Sequence, residues 1–206
     1  MGAKLAVVGP LAIALGAMVI GNTLGTLAGY YGGRVDFAIM RWADLMFSLP
    51  GLLVAIVVVG VLGGGYWLAV ATVTVLTAPS DARLVRAAVA EQRPRPYVEA
   101  LQTLCVRPVR IMFTNIWPNV LPVVVANTFL NFAYSLVTLA GLSFLGLGAG
   151  PAAAEWGRMI ADNRQLLFDD PLAVLGPCGA LVLTAWSMTQ LGDSAYEWLS
   201  DRGRTR

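Results

Sequence analysis

The chain has no histidine and only two cysteines, Cys105 and Cys178, among its 206 residues. These absences remove zinc sets, a disulfide framework and catalysis by Cys/His pairs. No Gly-rich phosphate loop ending in Lys-Ser/Thr is present, so ATP hydrolysis is not expected of this chain. No enzymatic activity, cofactor or metal site is expected either. Charge is scarce too. Asp, Glu, Lys and Arg make up 13% of residues, about half the level of a soluble domain. A net charge of +2 is too small to suggest nucleic acid as a partner.

What remains is apolar: 57% hydrophobic residues and a mean hydropathy of +0.70. The few charges bracket four uncharged runs, Leu5–Gly33, Leu45–Ser80, Ile111–Ala154 and Pro171–Gly192. About 20 apolar residues cross a hydrocarbon core. The second run is divided by three glycines at 63–65, a natural turn. The expected fold is all-α, a polytopic membrane bundle forming one domain over 1–206. Its five spanning helices lie near 5–27, 44–62, 66–86, 120–140 and 172–192. Pro50 and Pro177 are expected to kink the helices that contain them. Gly21, Gly25 and Gly29 repeat every four residues, a small-residue face that lets two helices approach closely.

Lys/Arg asymmetry sets the orientation. Arg34, Arg41, Arg83, Arg86, Arg93, Arg95, Arg107, Arg110, Arg202, Arg204 and Arg206 alternate onto one side, against Lys4, Arg158 and Arg164 on the other. Segment 87–119 and the C-terminus are therefore expected in the cytoplasm, and segment 141–171 outside. Met1–Ile20 also reads as a signal peptide. However, its uncharged run continues to Gly33 and ends in GYYGG rather than a cleavage site, which favours a retained helix.

Asn127, Asn131, Tyr134, Ser135 and Thr138 recur at helical spacing and form a polar stripe. The stripe either lines a passage for a polar solute or holds helices together by hydrogen bonds. Asn22 and Thr23 have the same two readings. Few ionisable groups fall near mid-depth, so no proton relay is evident.

Segment 87–119 is too polar to span. Pro96 suits the first turn of a helix, expected over Tyr97 to about Cys105, with a second from Val109 to Trp117. Tyr97, Val98, Leu101 and Leu104 recur at helical spacing, so they need either the bundle or a partner to pack against.

This segment resembles the EAA loop of ATP-binding-cassette importer permeases: Glu-Ala-Ala, a later Gly, then Ile-Leu-Pro. The matching positions are Glu99, Ala100 and Leu101, then Cys105, then Ile116, Trp117 and Pro118. Further stretches are similar to the dipeptide/oligopeptide/nickel branch of that family. They are LAGYYGGRVD at 27–36, the run from Arg41 to Leu53, ARLVR at 82–86, LSFLGLG at 142–148 and EWGRMIADNR at 155–164. The chain departs from the pattern at Leu101 and Cys105, and at Pro94 and Pro96. It opens at what resembles the family's second helix, so the first is expected to be absent.

The resemblance implies a multi-pass permease in a bacterial inner membrane. Its implied partners are a second permease subunit, two cytoplasmic ATPases and an external solute-binding protein. Tyr97, Val98 and Leu101 would dock on the ATPase while Glu99 pairs with a basic group. Ala100, Cys105, Ile116 and Pro118 complete the coupling segment. Trp156 and Arg158 would meet the binding protein. Two rival classes remain at this point: a secondary transporter, which needs coupling groups in the membrane or an inverted repeat, and a channel or non-transporting scaffold. Co-purification with an ATPase separates them.

Overall fold

Glycine decides which helices touch. In the computed structural model, which describes residues 3–148, 150 and 155–204, α1 (Ala3–Tyr31) lies parallel to α4 (Tyr66–Gln92). A Cβ built on Gly25 would sit 2.6 Å from the Ala82 carbonyl oxygen, and one on Gly29 would sit 2.7 Å from that of Arg86. Gly21 faces Asp81 in the same way. The four-residue repeat is thus the seam of the central helix pair, as its sequence suggested.

Around this pair run α2 (Gly33–Phe47), α3 (Gly51–Val61) and the short α5 (Pro96–Thr103). They are followed by a long helix here called α6 (Pro108–Phe144), then α7 (Trp156–Asn163) and α8 (Leu172–Arg204). Among the described residues there is no strand. Four helices are long and apolar enough to cross a membrane, or five if the bent pair of α2 and α3 counts as one span. The all-α polytopic expectation holds.

Three elements differ from the sequence reading. The span expected at 44–62 is broken, not kinked. Pro50 adopts an extended backbone (φ −62°, ψ 114°), and α2 and α3 meet at 80°. Residues 33–43, which fall between the expected spans at 5–27 and 44–62, are helical. Second, no break falls at Pro118. The first turns of α6 widen into a π-helix over Ile111–Ile116, which absorbs the missing N–H and the ring of the proline that follows. Third, α8 runs on to Arg204, past the expected end of the last span near 192. Arg206 and the side chains of Arg202 and Arg204 lie outside the described residues, as do 149 and 151–154 of segment 141–171.

Gly63, Gly64 and Gly65 all have positive φ (92°, 76° and 116°), a path only glycine follows cheaply three times running. They reverse the chain between α3 and α4. One apolar cluster joins α1, α3, α4 and α6 around Ile13, Val59, Val70 and Leu142. A second lies at the Arg-rich end, where Tyr30, Val85 and Val89 meet Val98, Ile111 and Ile116.

Candidate functional site

The segment singled out by sequence is a helical hairpin folded onto the Arg-rich end of the bundle. Arg95 precedes α5 in extended conformation and Pro96 occupies its first turn. Val98 is fully buried in the cluster of Tyr30, Val85, Val89 and Ile116, with Tyr97 and Leu101 half-buried against it. The Tyr97 hydroxyl donates to Gln92 Oε1 at 3.1 Å and accepts from Asn119 Nδ2 at 3.2 Å. It thereby ties the end of α4 to α6 across α5. Tyr97, Val98 and Leu101 are therefore the inner face of α5, not a surface left free for a partner. Helical spacing shows that a face is apolar; it does not show which body covers it.

Glu99, Ala100, Gln102, Thr103, Leu104 and Cys105 form the exposed edge. Leu104 is 74% exposed, and Glu99 has no ion-pair partner among the described residues. Beyond the edge, Leu104, Cys105, Arg107, Val109, Arg110 and Phe113 line an open depression of about 880 Å³. Ile116 is buried beneath the hairpin, whereas Pro118 is exposed.

Cys105 terminates α5 with φ +54°, the only positive φ at a non-glycine among the described residues. Its N–H bonds the Gln102 carbonyl (3.0 Å), and the Val106 N–H bonds that of Leu101 (3.1 Å). This pair of bonds is a Schellman closure, which normally places glycine at the left-handed position. The turn geometry is kept, and the Cβ strain falls on Cys105. Cys105→Gly is expected to stabilise the turn by about 1 kcal/mol. Hydrogen exchange at the 101–106 amides should slow in that variant. Cys105→Ala, which keeps a Cβ, should not slow it.

The polar stripe of α6 divides in two. Asn127 and Asn131 both donate from Nδ2 to Asp81 Oδ1 at 2.7 Å, and Asp81 is only 3% exposed. This half is interhelical glue, built around a carboxylate inside α4. Sequence reasoning carried the span at 66–86 through Asp81 but assigned the carboxylate no partner or role. Tyr134 and Thr138 instead line a cavity of about 190 Å³, opposite Met46, Phe47, Leu49 and Thr77. Ser135 is buried, and its hydroxyl has no hydrogen-bond partner among the described residues.

At the opposite end, Trp156 is half-buried against Ala14, Phe132 and Leu136, so it packs α7 onto the bundle. Arg158 pairs with Asp162 one turn on, at 3.0 Å. Glu155 is buried. Burial pushes its carboxyl above the usual carboxylate range, and the Ser143 side chain opposes that shift. Phe168, 94% exposed, is among the exposed apolar side chains at this end. No cluster of metal-ligating side chains occurs among the described residues.

Comparison with known proteins gives three findings. Residues 21–205 match the family model of the binding-protein-dependent transport system inner membrane component. The glutathione transport system permease protein GsiD of Pectobacterium atrosepticum is 35% identical over 202 residues, 98% of this chain and 67% of that protein. The dipeptide transport system permease protein DppC of Alkalihalophilus pseudofirmus is 35% identical over 187 residues, 91% of this chain and 62% of that one. The chain thus spans about two thirds of the length of these relatives. Among solved structures, two crystal forms of the inward-facing MetNI methionine transporter align at 18% and 16% identity, with TM-scores of 0.76 and 0.78. Each covers 96% of this chain and 94% of the other. At that identity they show a shared fold.

Proposed function

Since the chain belongs to the family of binding-protein-dependent transport system inner membrane components, a group of multi-pass membrane proteins, we propose that it is a permease subunit of an ATP-driven importer. It forms the translocation path with a second permease and takes up peptides or peptide-like solutes such as glutathione. Two cytoplasmic ATPases drive it, and an external solute-binding protein delivers the solute. The Arg-rich end faces the cytoplasm, together with the C-terminus.

One observation carries this reading. The α5 hairpin is anchored by the buried Val98 and leaves Glu99, Ala100, Leu104 and Cys105 exposed along its outer edge. A surface loop has no need of such an anchor, whereas a lever does. If an ATPase grips the edge, its closure moves α5, and the hydrogen bonds of Tyr97 pass the movement to α4 and α6 as a rigid-body shift. Val98 and Tyr97 hold the lever, and Glu99, Ala100, Leu104 and Cys105 meet the partner. Tyr134 and Thr138 belong to the path; Asn127 and Asn131 brace its wall. The outward end around α7, with Arg158 and the exposed Phe168, is the proposed meeting point with the binding protein.

A secondary transporter or a passive scaffold has no use for an anchored lever on the cytoplasmic face. Glu99→Lys tests the reading directly. A hydrogen bond to a charged group contributes about 1.5–3 kcal/mol, so charge reversal should weaken ATPase association roughly tenfold or more. Solute-stimulated ATP hydrolysis by the assembled complex should fall with it, and Glu99→Ala should lie between. Unchanged uptake and assembly in both variants would remove the lever role from Glu99.

A further inference from the structure

Two acidic residues of α2 reach two arginines of α4. Asp36 accepts from Nε and Nη2 of Arg86 at 2.9 and 2.5 Å, and Asp44 accepts from Arg83 Nη2 at 2.6 Å. The acids are separated by about 12 Å along α2, but the arginines by only about 4.5 Å along α4. The α2 helix therefore crosses α4 instead of running beside it.

Arg83 holds a second residue of α2. Its guanidinium lies 4.4 Å from the centroid of the Phe47 ring. Asp44 and Phe47 bracket the last turn of α2, immediately before the break at Pro50. On that turn and just beyond it, Met46, Phe47 and Leu49 wall the cavity that Thr77, Tyr134 and Thr138 line from the other side. Val73 and Thr77 of α4, also in that wall, lie about two to three turns farther from the Arg-rich end than Arg83. The elbow thus stands between the Arg-rich end and the cavity. Pro50 has no N–H to extend a backbone ladder across the break, so the elbow is free to hinge.

We propose that Arg83 is a positioning residue that latches the α2–α3 elbow as a gate over this cavity. Displacement of the end of α4 by α5 then swings Met46, Phe47 and Leu49 and changes access to Tyr134 and Thr138. The inference rests on the transport reading above and adds the moving part of the path. An exposed ion pair and a cation–π contact are each individually modest. That suits a latch that must open in every cycle.

The test uses the assembled complex in inside-out vesicles. The chain carries Thr138→Cys as the probe, with Cys105→Gly and Cys178→Ser removing the native thiols. A charged, membrane-impermeant thiol reagent is added without nucleotide. Losing both contacts should raise the labelling rate about tenfold in Arg83→Ala. The exchanged pair, Arg83→Asp with Asp44→Arg, should bring the rate most of the way back. A cysteine at the fully buried Leu142 should stay unlabelled throughout, which separates gate opening from unfolding. The latch is overturned if Arg83→Ala labels like its parent, if the exchanged pair restores nothing, or if Leu142→Cys becomes reactive along with Thr138→Cys. Solute uptake by the complex with native Arg83 is scored separately. Its failure would strike at the transport reading and leave the accessibility result standing.

Discussion

Replacing Asn127 and Asn131 together by leucine is expected to cost about 3–5 kcal/mol, because it strands a buried carboxylate without its donors. Asp81 is almost wholly enclosed between α4, α6 and the glycine face of α1, and both amides reach the same oxygen. Each single substitution leaves one donor and should cost less than half of the double change. Adding Asp81→Leu to the double variant should recover most of the loss, since well-packed apolar groups often replace a buried polar cluster at little cost. Thermal unfolding of the purified chain in detergent, read across the four variants, checks the cycle. If the double and triple variants melt together, Asp81 has another partner and the node is misassigned.

The glycine seam gives the second large effect. A Cβ on Gly25 meets the Ala82 carbonyl oxygen at 2.6 Å and Val85 Cβ at 2.8 Å, and neither atom belongs to a flexible side-chain end. Overpacking typically costs about 1–3 kcal/mol. Gly25→Leu should reach the upper part of that range or exceed it, because the obstruction is backbone. The α1–α4 pair would have to separate along its length, and it carries the wall against which the other helices pack. Gly179→Ala is the matched control. Gly179 lies within α8 with nothing within 4 Å of a built Cβ, so the change should be neutral or stabilising by about 0.5–1 kcal/mol. Monodispersity and melting temperature of the two variants should diverge clearly. Similar behaviour would mean that the close approach of α1 and α4 does not hold the bundle together.

Much of this architecture was legible in the residues themselves. Uncharged runs located the spans because lipid cannot satisfy stray charges or open backbone. The seam was visible because small residues every four positions share one helix face. Proline marked the start of α5 correctly because Pro96 has no N–H to lose in a first turn.

Other features depend on long-range partners and could not be read locally. Asp81 fell inside the expected span at 66–86 with no partner named, because the amides that shelter it lie 46 and 50 residues away. Val98 and Leu101 were legible as an apolar face, but the cluster of Val85, Val89 and Ile116 that covers them was not. The crossing of α2 over α4 follows from Asp36, Asp44, Arg83 and Arg86 together. In sequence the two arginines read only as topology markers, and the two aspartates carried no assignment. Pro50 and Pro118 show the same limit: each removes one backbone donor, yet one ends a helix and the other is absorbed by a π turn.

The exposed native thiol of Cys105 offers the most direct measurement of whether an ATP-driven partner grips the α5 edge. A short bifunctional thiol crosslinker applied to native membranes from the cytoplasmic face should join Cys105 to a nucleotide-binding ATPase subunit, and ATP should change the yield. Reaction of Cys105 only from the outer face, or capture of no ATPase under any nucleotide condition, would contradict the account.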